Sequence, residues 1–159
     1  MELILVQHGE SKSEAEDPER SLTEQGAEAV RRMAAWAEQV GLKVGQIRHS
    51  GKRRAEQTAQ LLAERLQPPK RAIDLSGLNP NDDVRPIAAA LIDEEDTVML
   101  VGHLPFLSRL ASLLVTGDPE TGVVSFCYAG LVCLKREGRR WSVNWVMVPD
   151  LLAPAAARH

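Results

Sequence analysis

Three residues that lie far apart in the sequence, His8, Arg54 and His103, are of types that can bind and transfer a phosphoryl group. An imidazole can act as a nucleophile, a base or a ligand, and a guanidinium offers a planar fork of donors that suits phosphate oxygens. If the three met, one imidazole could attack phosphorus while the other imidazole and the guanidinium bound the remaining oxygens. The elements around each residue indicate whether they meet.

Each histidine comes two residues after the end of a strongly apolar run. The run Leu3-Ile-Leu-Val6 leads into His8, and the run 97–101 leads into His103. Short apolar runs that stop at polar residues and Gly are typical of buried strands. A weaker strand over 44–49 leads into a helix over 52–66, and Arg54 falls at the start of that helix. Because the carboxyl ends of parallel strands meet at one edge of a sheet, we expect these groups to converge there.

The remaining segments alternate in the same way. A helix begins at the cap Thr23 and stops at Gly41. Further predicted helices cover 84–92 and 106–115, and further strands cover 72–76, 125–134 and 141–148. The order predicts one α/β domain over 1–159, a three-layer α/β/α sandwich with a mainly parallel, mixed sheet that ends in a hairpin. The acidic stretch 12–21 is predicted to be a loop over the site that contains His8.

The composition is that of an ordinary globular protein, with 44% hydrophobic and 26% charged residues among 159. The net charge of −3 offers no electrostatic reason to expect nucleic acid or a membrane as partner. No stretch is apolar enough to cross a bilayer and the N-terminus lacks a signal-peptide pattern, so we predict a cytoplasmic protein. Cys127 and Cys133 lie in one strand-like segment, too far apart for a disulfide, and are predicted to be reduced thiols.

Each of the three candidate residues also has a purely structural explanation. A histidine after a strand is usually a turn residue with a satisfied hydrogen bond, and Arg54 alone fits a solvated helix position. The joint placement of His8, Arg54 and His103 favours the functional interpretation. A metal site is not supported, because no His or Cys pair has a short metal-ligand spacing.

Four ordered motifs resemble the histidine phosphatase superfamily, and within it the small SixA-type phosphohistidine phosphatases. They span most of the chain, and their order makes the resemblance specific. They are Gln7-His8-Gly9, Arg20-Ser21-Leu22-Thr23-Glu24-Gln25-Gly26, Ser50-Gly51-Lys52-Arg53-Arg54-Ala55-Glu56-Gln57-Thr58 and Gly102-His103-Leu104-Pro105.

The resemblance implies a phosphoglycerate mutase-like fold and a phosphatase that needs no metal or other cofactor. Its substrate would be a protein that carries phosphohistidine. His8 would be the nucleophile that becomes transiently phosphorylated, and Arg54 and His103 would complete the catalytic set. The residues that would bind the phosphoryl group are Gln7, Gly9, Arg20, Arg54 and His103.

Three departures from the family pattern affect this expectation. Gln7 replaces an Arg, so a hydrogen bond from a neutral amide stands in place of one from a charged guanidinium. This change costs on the order of 1–2 kcal/mol of transition-state binding, roughly a tenfold to thirtyfold loss in rate. Gly51 replaces a Pro, which relaxes the turn and removes no chemical group. Gly77 stands where SixA-type proteins often carry a Glu.

The third departure leaves the general acid open. Glu10 and Asp83 are candidates, and both also fit solvated loop acids or helix caps. With Gln7, this gap motivates an alternative function, a weak or inactive phosphate-binding module that holds a phosphorylated partner without turning it over.

Overall fold

Residues 1–152 are described by a computed structural model. Within this range the chain forms six strands, four α-helices and two short 3-10 helices. In chain order they are β1 (Glu2–Gln7), α1 (Glu24–Gln39), β2 (Gln46–His49), α2 (Arg53–Leu66), β3 (Ile73–Asp74), α3 (Arg85–Ala90), a 3-10 helix (Leu91–Asp93), β4 (Val98–Gly102), α4 (Phe106–Thr116), β5 (Leu131–Glu137), β6 (Arg140–Met147) and a 3-10 helix (Pro149–Leu152).

The strands form one sheet in the order β3-β2-β4-β1-β5-β6. The first four strands of that order run parallel, and β5 is antiparallel to both β1 and β6. The central strands β1 and β4 are buried on both faces, which explains their uninterrupted apolar sequences. Their register pairs Gln7 with Gly102, so His8 and His103 both follow at the same edge of the sheet.

Helices cover both faces of the sheet. Successive side chains of a strand point to opposite faces, and β1 follows this rule. Ile4 and Val6 pack in one apolar cluster with α1 and α2, whereas Leu3 and Leu5 pack in a second cluster with α3 and α4. The predicted three-layer α/β/α sandwich with a mixed sheet is therefore confirmed.

The start of α1 is pressed against the turn that follows β1. Thr23 caps the helix as predicted, because its hydroxyl accepts a hydrogen bond of 2.9 Å from the backbone N–H of Gly26. A Cβ at Gly26 would collide with the backbone carbonyl of Glu10. This position therefore requires glycine, and the close approach brings α1 beside the segment that carries His8.

The predicted strand over 125–134 is wrong in its first half. β5 begins only at Leu131, and the preceding residues form a loop in which Ala129 has a left-handed φ of 63°. A residue in that conformation cannot continue a strand. As a result Cys127 is exposed in the loop while Cys133 is buried in β5, and both are free thiols as predicted.

Two other predicted elements are shorter than expected. The strand predicted over 72–76 is limited to Ile73–Asp74, and the helix predicted over 84–92 ends at Ala90 and continues as a 3-10 turn. The predicted hairpin is present as β5 and β6, which turn at Gly138. No helix in the described range is long and apolar enough to span a membrane.

Candidate active site

The two histidines meet at the carboxyl edge of the sheet. The backbone N–H of His8 donates a 3.0 Å hydrogen bond to the carbonyl of Gly102, the residue before His103. Their ring centroids are 5.0 Å apart and tilted by 52°. His8 is 7% exposed and His103 is 2% exposed, so both imidazoles are buried at the carboxyl edge of the sheet.

The ring of His8 is held with one nitrogen free. Its Nδ1 lies 2.7 Å from the carbonyl oxygen of Gly9. Because a carbonyl only accepts hydrogen bonds, Nδ1 carries the hydrogen and Nε2 of the neutral ring keeps its lone pair. Burial, together with the charges of Arg54 and Arg20, lowers the pKa of His8 to about 4 in spite of the opposing hydrogen bond to Gly9. Near neutral pH, Nε2 is therefore available as a nucleophile.

His103 is fixed from the neighbouring strand. Its Nε2 lies 2.6 Å from the hydroxyl of Ser50, which follows β2. Its Nδ1 is buried and has no hydrogen-bond partner within the described residues. Burial, together with the neighbouring His8 and Arg54, lowers the pKa of His103 to about 3. This ring is thus neutral as well when the site holds no anion.

Arg54 lies in the first turn of α2, as the sequence predicts. The N-cap residue Lys52 makes no side-chain capping bond to this end of the helix. The Nε of Arg54 is buried without a partner, and within residues 1–152 no carboxylate forms an ion pair with Arg54 or Arg20. Burial lowers the pKa of Arg54, and Arg20 lowers it further. Because no carboxylate in this range neutralises Arg54 or Arg20, both cations are available to bind an anion.

Arg20 comes from the loop that was predicted to lie over the site. The loop is closed by a 2.8 Å hydrogen bond from the backbone N–H of Lys12 to the carbonyl of Ser21. Arg20 has a left-handed φ of 51°, and its Nε donates to the carbonyl of Lys12 at 3.4 Å. Its charge lowers the pKa of both histidines and of Arg54, which places it at the same site.

The buried hydroxyl of Thr58 connects the turn after His8 to Arg54 through two hydrogen bonds. The backbone N–H of Gly9 donates to Thr58 Oγ1 at 3.0 Å, and that hydroxyl donates to the carbonyl of Arg54 at 2.8 Å. A Cβ at Gly9 would lie 2.9 Å from the side chain of Val30, so the turn also needs a glycine. No role was predicted for Thr58 or Ser50, although they are the last and first residues of one motif.

The loop before β5 contributes an unforeseen aromatic side chain. The ring centroid of Tyr128 lies 5.6 Å from that of His8, and the side chain is 49% exposed. Tyr128 was not predicted as a site residue, because its segment resembles a strand in sequence. The only available signal was that Tyr128 is the single tyrosine of the chain.

Gln7 and Gly51 are the two motif departures that the structure locates in detail. Gln7 is 9% exposed, and its Oε1 is buried without a partner among the described residues. Gly51 has a φ of 87°, in a region that proline cannot adopt. The turn between β2 and α2 therefore differs in backbone path from one that contains proline.

The two candidate general acids lie at helix starts. Glu10 accepts a 2.8 Å hydrogen bond from the hydroxyl of Thr23. Asp83 accepts a 3.0 Å bond from the backbone N–H of Arg85, the first residue of α3, and is exposed. The contact of Asp83 fits the capping explanation, Glu10 is an exposed acid bonded to the cap residue, and an acid role for either residue stays a prediction. No group of three or more His, Cys, Asp or Glu side chains in the described chain could hold a metal ion.

Comparison with known proteins gives one consistent result. Residues 3–79 match the histidine phosphatase superfamily (branch 1). Phosphohistidine phosphatase SixA of Escherichia coli (strain K12) is 30% identical over 162 residues, which cover 99% of each chain. A structure of the protein histidine phosphatase SixA complexed with tungstate superposes with a TM-score of 0.85 at 27% identity, covering 96% of this chain and 100% of the other.

A more distant structure shares the fold alone. It is a putative alpha-ribazole-5'-P phosphatase from Escherichia coli, with a TM-score of 0.79 at 15% identity, covering 94% of this chain and 98% of the other.

Proposed function

Because this chain belongs to the histidine phosphatase superfamily, we propose that it removes the phosphoryl group from a phosphohistidine of a protein through a covalent phospho-His8 intermediate. The observation that carries this proposal is the pairing of a neutral imidazole with unpaired cations. His8 offers a free Nε2, and Arg54 and Arg20 lie near it without a carboxylate partner in the described chain. Such a site binds a phosphoryl group and attacks it.

The first step transfers the phosphoryl group to His8. Nε2 of His8 forms a bond to phosphorus while the bond between phosphorus and the substrate imidazole nitrogen breaks. The substrate imidazole, already protonated on its other ring nitrogen, keeps the electron pair of the broken bond and departs as neutral imidazole. The guanidinium of Arg54 holds the equatorial oxygens, with Arg20 and His103 beside it, where negative charge accumulates.

The second step restores the enzyme. A water molecule attacks the phosphorus of phospho-His8, its proton is released, and inorganic phosphate leaves with Nε2 free again. The hydrogen bond from Nδ1 to the carbonyl of Gly9 keeps the same ring nitrogen facing the substrate in both steps. An imidazole leaving group can be protonated before it departs, so this substrate depends less on a strong general acid than an alkyl phosphate does.

The relatives support this substrate class. The E. coli relative is named a phosphohistidine phosphatase, and the SixA structure holds tungstate, a tetrahedral oxyanion like phosphate. The positive groups around His8 fit such an anion, and we assign phosphate-binding roles to Gln7, Arg20, Arg54 and His103. The role expected for Gly9 is replaced by a positioning role, because its N–H donates to Thr58 Oγ1.

One observation favours a second candidate function. Gln7 brings a neutral amide where the family has a guanidinium, and its Oε1 is buried without a partner in the described residues. An enzyme weakened in this way could serve as a phosphate-binding module that holds a phosphorylated partner.

Trapping of the intermediate separates the two functions. The protein is mixed with a ³²P-phosphohistidine protein, quenched in alkali within milliseconds to seconds, and analysed for label on His8. We expect label on the wild-type protein and release of phosphate. His8→Asn should show neither, while inorganic phosphate still raises its melting temperature, because Arg54, Arg20 and His103 remain to bind the anion.

Two results would count against the enzyme. Equal phosphate release by wild type and His8→Asn would remove His8 from the reaction. Binding of the phosphorylated protein by wild type with no label and no release would establish the binding module instead.

A further inference from the structure

A half-exposed aromatic ring stands beside the proposed nucleophile. Tyr128 is 49% exposed, and its ring centroid is 5.6 Å from that of His8 with the planes tilted by 44°. Large aromatic side chains lose stabilisation when they remain in water, and this one contacts a ring that the proposed mechanism requires. The position therefore calls for an explanation beyond packing.

The backbone holds Tyr128 in place through a strained residue. The next residue, Ala129, is 2% exposed and has a φ of 63°, which is uncommon for a residue with a Cβ. Its backbone N–H donates a 2.9 Å hydrogen bond to the carbonyl of Gln7, directly before His8. The turn is closed by a 3.1 Å bond from the N–H of Gly130 to the carbonyl of Cys127. Strain of this kind persists where the surroundings over-determine it, often at functional sites.

The ring borders both the anion site and open space. The contact of Tyr128 with the ring of His8 places it at the rim of the site that would take the phosphoryl group. It also lines a cleft of about 250 Å³ that is bordered by Glu10, Arg32 and Asp150. A substrate imidazole attached to a protein needs both features: a surface for the ring, and room for the chain that carries it.

We propose that Tyr128 is a specificity-determining residue whose ring packs against the leaving imidazole of phosphohistidine; this rests on the proposed function above. Transfer in line places the two imidazoles on opposite sides of one phosphorus atom, so a side chain that already contacts the first ring is within reach of the second. Aromatic rings attract each other in offset or edge-to-face pairs. Tyr128 thus favours leaving groups that contain a ring over those that do not.

Two small substrates isolate this effect. Phosphoramidate and free phosphohistidine both contain a P–N bond, but only the second has a ring on the leaving nitrogen. We measure kcat/KM for each with the wild type, Tyr128→Ala and Tyr128→Phe. Val146→Ala serves as the matched control, because Val146 is 42% exposed on the outer strand β6.

The ratio of the two kcat/KM values is the readout. In Tyr128→Ala we expect the preference for phosphohistidine over phosphoramidate to fall about threefold to tenfold, mainly through KM, which is the range of an aromatic pair. Tyr128→Phe keeps the ring and should keep the ratio, and Val146→Ala should change neither substrate.

Several outcomes would overturn the inference. An unchanged ratio in Tyr128→Ala, whether both substrates keep their rates or lose them in proportion, would mean that Tyr128 does not select the leaving group. An equal change in Tyr128→Phe would assign the effect to the hydroxyl. If the wild type hydrolyses neither compound and also releases no phosphate from the phosphohistidine protein, the proposed function itself fails. Hydrolysis of the protein substrate alone would overturn the inference about Tyr128 instead, because the leaving ring by itself would not be selected.

Discussion

Replacement of Thr58 by valine tests whether the buried hydroxyl aligns the site. Valine has nearly the shape of threonine, so the change removes the hydroxyl and little volume. Thr58 is fully buried, accepts from the N–H of Gly9 and donates to the carbonyl of Arg54. The substitution removes the acceptor of the Gly9 N–H and one donor to the Arg54 carbonyl, directly beside His8.

The expected cost follows from these two bonds. A buried donor without a partner costs about 1–3 kcal/mol. For a chain of this size that corresponds to a melting temperature lower by about 3–10 °C. Activity should fall about tenfold or more, because small displacements between nucleophile and substrate strongly reduce the rate of transfer. The loss should appear mainly in kcat, since the charges that bind phosphate are unchanged.

Thermal unfolding and steady-state hydrolysis of a phosphohistidine substrate measure both effects. Thr58→Ser is the matched control, because it keeps the hydroxyl and removes only a methyl group, and it should retain most of the activity. If Thr58→Val kept the melting temperature and kcat of the wild type, the proposed role of this hydroxyl would be refuted. A loss in Thr58→Ser as large as that in Thr58→Val would assign the effect to packing instead.

Two further predictions concern the charge of the site. The pKa of His8 is lowered from 6.5 to about 4, so the unfolded chain binds more protons than the folded chain between these pH values. The contribution of His8 to the free energy of unfolding should therefore fall as the pH decreases from about 6.5 to about 4 and should be level above that range. Urea unfolding of the wild type and His8→Asn at several pH values measures this, and an equal dependence of the free energy of unfolding on pH in the variant would contradict it. Gln7→Arg should raise kcat/KM by about tenfold to thirtyfold, because a charged fork replaces a neutral amide. Gln7→Lys adds charge without the fork and should gain less, while a folded Gln7→Arg with unchanged or lower kcat/KM would show that the guanidinium is not needed here.

The central strands and the meeting of the histidines could be predicted from the sequence. The runs that became β1 and β4 are apolar on both faces, as buried parallel strands are, and each stops directly before a histidine. Thr23 and Gly41 mark the ends of α1 by local chemistry that needs no distant partner. These features were predictable because the same few residues both carry the signal and adopt the structure.

The loop before β5 could not be predicted from the same signals. Its residues are apolar and aromatic enough to suggest a strand, but Ala129 adopts a left-handed conformation that an alanine gives no reason to expect. That conformation is fixed by a hydrogen bond to the carbonyl of Gln7, which is more than a hundred residues away in the chain. The position of Tyr128 beside His8 depends on this contact.

The order of strands, helices and motifs was thus determined by the sequence, since periodicity, caps and turns act between near neighbours. The chemical state of the site was decided by the tertiary structure. The lowered pKa values of His8 and His103, the absence of a partner for Arg54 Nε among residues 1–152 and the link through Thr58 arise from burial and from groups contributed by separate segments. Electrostatic interactions and desolvation depend on distances in space, and those distances exist only once the sheet has brought its strand ends together.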